Sequence, residues 1–226
     1  MEYLFDTINK DDIERFGSCF PYTGVTSNPS ILKMEAQGEP VLQALREIRQ
    51  VIGFGRTLHI QVVARDRNDI VAEAESLMEK VDDQVYVKVP TTEEGLAAMQ
   101  MMKQRGIRIT ATTVYTKVQG FMAIAVGADF IAPYYNRVAD FDVDPKELVS
   151  SLAKVITKHN APTKILAASF KNITQVNDAL MAGAHCVTVQ PRLLHAAYGA
   201  AAIQRAVDDF TRDWQSVAGD VSITDL

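Results

Sequence analysis

The sequence predicts an α/β protein folded as a single-domain (β/α)8 TIM barrel with a C-terminal helix. Short β-rich runs alternate along the chain with longer amphipathic stretches, the pattern of a parallel sheet with crossover helices. Eight such units fit within 226 residues, near the ~250 residues typical of a closed barrel and enough for one sizeable core. The alternative is an open doubly wound sheet, which calls for a Gly-rich phosphate turn after an early strand. The second unit reads Gly24-Val25-Thr26-Ser27-Asn28-Pro29 instead.

The expected strands, in order, are Tyr3–Asp6, Thr23–Ser27, Leu58–Ala64, Val85–Val89, Ile107–Thr113, Phe130–Tyr134, Lys164–Ser169 and Cys186–Val189. Amphipathic periodicity predicts helices over Asn68–Val81, Glu93–Arg105, Pro145–His159 and Asn172–Ala182 between them. Residues 1–226 read as one domain, with 200–226 as a terminal helix and tail. In Ala201–Val217, Ile203, Val207, Phe210 and Trp214 recur at helical spacing, a face for the chain's own barrel or for a neighbouring subunit. No linker, low-complexity stretch or solenoid repeat interrupts the pattern.

Hydrophobic residues make up 47% and charged residues 23% of the chain, the balance of a globular protein. No apolar run reaches the ~20 residues of a membrane span. The net charge of −5 with scattered basic residues argues against a nucleic-acid partner. It leaves room for a small anionic substrate, because one or two arginines hold a phosphate on an acidic protein. The acidic start Met1–Asp6 is no signal peptide, and Cys19 and Cys186 form no metal or redox motif. A cytoplasmic protein is expected. His59, His159, His185 and His195 show no paired spacing, so they read as structural or surface residues and no metal is expected.

Barrel sites form where strands end and their loops begin. That level of each unit carries Asp6, then Thr26 and Asn28, Gln61, Lys88, Thr112 and Thr113, and then Tyr134, Asn136 and Arg137. Ser169 ends the seventh unit, and Gln190 is a weaker candidate in the eighth. Each alone reads as a cap or turn residue; so many at one level read as a site.

Lys88 is the most informative of them. In Val85-Tyr86-Val87-Lys88-Val89-Pro90, period two puts Tyr86 and Lys88 on one face and the valines on the other. Valines suit the helix-covered side, which turns the lysine into the barrel. A buried ammonium either pairs with an acid or loses its proton, and a lysine of lowered pKa attacks carbonyls. A lysine that snorkels out at the strand end is the structural alternative.

Four segments together resemble the small transaldolase-like class I aldolases. They are Gly24–Ser30, Val85–Leu96, Ala132–Arg137 and Leu166–Lys171, within a likeness that runs from Asp6 to about Val189. The resemblance implies that Lys88 is the Schiff-base lysine, that Asp6 and Asn28 contact hydroxyls of the bound ketone, and that Thr26 is a further pocket residue. It implies Arg137 and Ser169 as the phosphate holders. Transaldolases resemble one another in a glutamate on strand three and a phenylalanine after strand six. Gln61 and Tyr134 stand there, the pattern of the aldolase branch. A carboxamide and a phenol, with Thr112, can hold a water that moves protons near the imine.

The expected activity is reversible cleavage of fructose 6-phosphate or a similar ketose phosphate to dihydroxyacetone and glyceraldehyde 3-phosphate, with no cofactor. Transfer of the dihydroxyacetone unit between sugar phosphates is the nearest rival. Non-catalytic sugar-phosphate binding is a distant one, since binding alone does not need the lysine. The resemblance further implies a homo-oligomer, a decamer of two pentameric rings. Departures from the family are the stretch Val138–Pro145, which bears on the acceptor, and the hydroxyls of Thr110 and Thr113, which bear on the pocket floor.

Overall fold

A computed structural model describes residues 1–36, 38–140 and 143–226. Its centre is a closed parallel barrel in which each strand pairs with the next and the eighth returns to the first. The strands are β1 Glu2–Asp6, β2 Gly24–Thr26, β3 Thr57–Gln61, β4 Tyr86–Pro90, β5 Arg108–Val114, β6 Phe130–Pro133, β7 Lys164–Ala167 and β8 Cys186–Val189. The helices are α1 Lys10–Gly17, α2 Pro29–Glu35, α3 Val41–Ile52, α4 Arg67–Lys80, α5 Glu93–Gln104, α6 Lys117–Ala125, α7 Tyr135–Ala139, α8 Pro145–His159, α9 Ile173–Met181, α10 Pro191–Tyr198 and α11 Ala201–Ala218, and all but the last lie against the barrel.

Two apolar layers result from the strand period. Outward-facing Phe5, Val25, Leu58, Ile60, Val87, Val89, Ile109 and Ile131 join the helix faces in the main core. Inside the barrel, Leu4, Phe130, Leu166 and Cys186 pack together with Tyr86 against them. Below the site, buried Arg49 lies 2.6 Å from Asp82 and donates to the carbonyls of Gly53 and Arg56, tying α3 to the start of β3.

The predicted third strand runs too far. It ends at Gln61, because the N–H groups of Val63 and Ala64 turn to the carboxylate of Glu73 at 2.7 and 3.0 Å. That turn leaves Gln61 at the barrel mouth. The fifth strand carries an irregularity between Ala111 and Val114, where Thr113 takes a positive φ of 56°. After β4, Gly95 sits so close to the strand that a Cβ there would lie 1.9 Å from the Pro90 carbonyl oxygen. Only glycine lets α5 dock this tightly behind the strand that bears Lys88.

The last helix departs from the others. No residue of α11 is buried, and Phe210 is 73% exposed and Val207 53% exposed. In the single chain its apolar face is left largely uncovered by the barrel. No helix among the described residues is long and apolar enough to cross a membrane.

Candidate active site

The carboxyl ends of the strands open onto a cavity of about 470 Å³. Asp6, Asn28, Gln61, Lys88, Tyr134, Arg137 and Ser169 all line it, together with Thr113, Lys171 and Gln190. Thr26 and Thr112 lie behind this wall and are fully buried.

Lys88 stands in register with Gln61 on β3 and Thr110 on β5. It is 4% exposed, with fully buried Val87 and Val89 on the opposite face, so it points into the barrel and does not snorkel. Its Nζ donates to the carbonyl oxygen of Ser27 at 2.7 Å. Burial holds the amine below the usual lysine range, while the charge of Asp6 pulls the other way. Asp6 is raised by its own burial, and Lys88 and the Thr26 hydroxyl oppose that rise. Burial thus pushes each group towards neutrality, and each group's charge favours ionisation of the other.

Two hydroxyls stand beneath Asp6. The Thr26 hydroxyl donates to Asp6 Oδ1 at 2.6 Å and lies 2.6 Å from the hydroxyl of Thr188. The loop after Asp6 is clamped by Glu35, which accepts from the Thr7 hydroxyl at 2.8 Å and from the Ile8 N–H at 2.7 Å.

On the far wall, Thr112 donates to the Tyr134 hydroxyl at 3.1 Å. Burial raises the Tyr134 phenol above its ordinary value, so it keeps its proton at neutral pH. Since it accepts from Thr112, that proton is free to be directed into the cavity. Gln61 Oε1 is buried with no hydrogen-bond partner among the described residues. Buried acceptors are normally satisfied, and because Gln61 lines the cavity its carboxamide is placed to accept from a donor bound there.

Asn28 does double duty. Its Oδ1 caps α2 by accepting from Ser30 and Ile31 N–H at 2.9 and 3.1 Å, which leaves the amide nitrogen for the cavity. Arg137 is exposed on α7, with its guanidinium carbon 5.5 Å from the Tyr134 ring centroid. Among the described residues, no carboxylate pairs with Arg137 or with Lys171. Ser169 lies just past β7 in a left-handed conformation, φ 66°. Its carbonyl accepts from Asn136 N–H at 3.0 Å, joining the turns that carry Ser169 and Arg137.

His59 is buried between the hydroxyls of Thr110 at 2.8 Å and Thr57 at 3.0 Å, and burial holds it well below its ordinary pKa. It is a neutral core histidine, and the extra hydroxyl of Thr110 is spent on it. Thr113 does reach the cavity wall. In the divergent stretch Val138–Pro145, Phe141 and Asp142 lie outside the described residues.

Thr188, Lys171, Glu35 and the Ser27 carbonyl escape the sequence reading. Period two counted back from Gln190, the residue after β8, points to Thr188. Lys171 stands in one of the four family-like segments without a role. No sequence signal marks Glu35 or a backbone carbonyl.

Residues 3–221 match the model of a family described as Transaldolase/Fructose-6-phosphate aldolase. A Streptococcus pneumoniae protein (strain ATCC 700669 / Spain 23F-1) named "Probable fructose-6-phosphate aldolase" is 42% identical over 223 residues, which cover 99% of this chain and 100% of that protein. Among solved structures, a flavocytochrome b2 variant with sulfite bound superposes with a TM-score of 0.59 at 14% identity. That match covers 99% of this chain and 66% of the other. At that identity the likeness is one of fold alone.

Proposed function

Because the chain belongs to the transaldolase/fructose-6-phosphate aldolase family, we propose that it is a class I aldolase cleaving fructose 6-phosphate or a similar ketose phosphate. The observation that carries this reading is Lys88: an amine buried inside the barrel, on the wall of the cavity, held by a neutral carbonyl and depressed by burial.

Neutral Lys88 attacks the ketone carbon, and loss of water gives a protonated imine. Cleavage of the neighbouring C–C bond sends its electron pair into that imine, leaving an enamine and releasing glyceraldehyde 3-phosphate. Protonation of the enamine and hydrolysis of the imine free dihydroxyacetone and restore Lys88. Asp6 orients the amine or a substrate hydroxyl, and Asn28 offers its amide nitrogen to another. Gln61 and Tyr134 hold the water that moves the protons, with Thr112 fixing the Tyr134 phenol from behind. Arg137 and Ser169 grip the phosphate, the former by a charge-assisted contact; Lys171, which lines the same cavity, adds a second positive charge.

Release of dihydroxyacetone is favoured over transfer to a second sugar phosphate by Gln61 and Tyr134, a carboxamide and a phenol in place of a carboxylate and a plain ring. Fructose 6-phosphate supplied without an acceptor tests this reading. Free dihydroxyacetone and glyceraldehyde 3-phosphate accumulate if it is right; cleavage only on addition of an aldose phosphate makes the protein a transaldolase.

The exposed apolar face of α11 supports a homo-oligomer in which residues 200–226 cover a neighbouring subunit. By resemblance to the family, the assembly is a decamer of two pentameric rings.

A further inference from the structure

We propose that Thr188, which lines no part of the cavity, is a positioning residue that acts through Thr26 to hold the Asp6 carboxylate in place beside Lys88. The inference rests on the aldolase reading for its functional consequence, but its geometry stands apart from it.

Asp6 is on β1, between β8 and β2 in the closed sheet. Thr26 on β2 is its register partner, while Thr188 on β8 pairs with Leu4, one inward-facing layer lower. The two threonines therefore reach towards each other beneath the carboxylate from either side. Both are buried, Thr188 at 2% and Thr26 at 0% exposure. Neither is on the cavity wall.

Proton counting gives the chain a direction. Thr26 has one hydroxyl proton and two close oxygens, Asp6 Oδ1 and Thr188 Oγ1, each at 2.6 Å. An ionised carboxylate only accepts, so Thr26 donates to Asp6. Thr188 must then donate to Thr26. Each bond polarises the next, and the end of the chain is an anion. With Thr188 made apolar, Thr26 has no donor behind it, and its hydroxyl is a weaker and less directed partner for Asp6.

A role in filling space would be served equally by valine, which has the same shape without the hydroxyl. Among the described residues, the one hydrogen bond of Thr188's side chain is to Thr26. The charged or titratable groups that face Asp6 are Lys88 from β4, Glu35 from α2 and Tyr134 after β6. All three are untouched by a change at Thr188.

The test is the titration of Asp6 in the full-length protein, followed by infrared difference spectroscopy with 13C-labelled aspartate and assigned with Asp6→Asn. In Thr188→Val the Asp6 midpoint is expected to rise by roughly half a pH unit. The acid limb of fructose 6-phosphate cleavage should move with it, and Thr188→Ser should restore both. Thr188→Ala is read in the same way if the valine variant does not fold. An Asp6 midpoint that stays at the wild-type value overturns the proposal, as does uniform loss of activity at every pH with the acid limb unmoved. The infrared reading needs no substrate. Failure of the aldolase reading would show separately, as wild-type protein that gives no borohydride adduct with dihydroxyacetone.

Discussion

Lys88 Nζ is bonded to the carbonyl oxygen of Ser27 at 2.7 Å and to no carboxylate among the described residues. A carbonyl orients an amine without neutralising its positive charge. Asp6 acts on that charge through space, opposing the burial that favours the neutral form. The nucleophile is thus aimed by one group and tuned by another.

Asp6→Asn separates these two influences. The Asp6 charge favours the ammonium form, so its removal lowers the Lys88 pKa further below the lysine range. Competitive acylation of Lys88 as a function of pH should show the midpoint moving down. Cleavage of fructose 6-phosphate should nevertheless fall, by about 10²-fold, through loss of the orienting carboxylate. A Lys88 midpoint that moves up contradicts the account.

Tyr134→Phe removes the phenol that accepts from Thr112 and keeps its proton for the cavity. Steady-state cleavage should drop by about 10²–10⁴-fold, the usual worth of a positioned acid–base group. Borohydride trapping of dihydroxyacetone should survive, because the nucleophile is intact. Equal loss of trapping and turnover would mean that Tyr134 shapes the pocket and does not handle protons.

Arg137 is exposed at the mouth, and no described carboxylate competes for it. Arg137→Ala should raise KM for glyceraldehyde 3-phosphate in the synthetic direction by about 10–100-fold, the size of a hydrogen bond to a charged group. Addition to unphosphorylated glyceraldehyde should change little. If both aldehydes suffer alike, Arg137 is not the phosphate anchor.

The barrel was legible because helix and strand periods differ sharply, and because buried parallel strands carry dense β-branched and aromatic runs. Cys186–Val189 and Pro145–His159 have the boundaries expected of them. The overrun past Gln61 came from Val62 and Val63, two valines that read as strand. Glu73, a side chain ten residues beyond Val63, takes the backbone N–H that would have continued it. The inward direction of Lys88 follows from alternation with its flanking valines, and the level at which Asp6, Gln61 and Tyr134 meet follows from the ends of the strands. Thr188 escapes a reading of strand ends, because the support for Asp6 comes from one layer lower. The partners Ser27 O and Glu35 depend on how loops return to the barrel, which no local pattern encodes. Thr26 was expected in the pocket; it lies just beneath it, as the floor under Asp6.

The apolar face of α11 makes a prediction of its own. Phe210→Glu puts a charge on a side chain that is 73% exposed in the single chain, so the barrel should remain folded. If the face covers a neighbouring subunit, sedimentation should show a smaller assembly than wild type. An unchanged sedimentation coefficient would remove α11 from the interface.

The central claim is that Lys88 forms a Schiff base, and borohydride trapping tests it most directly. Purified protein incubated with dihydroxyacetone and sodium borohydride should gain one reduced adduct per chain, mapped by peptide mass spectrometry to Lys88. Lys88→Met should gain none and show no measurable turnover. An adduct on another lysine, no adduct at all, or an active Lys88→Met would contradict the account.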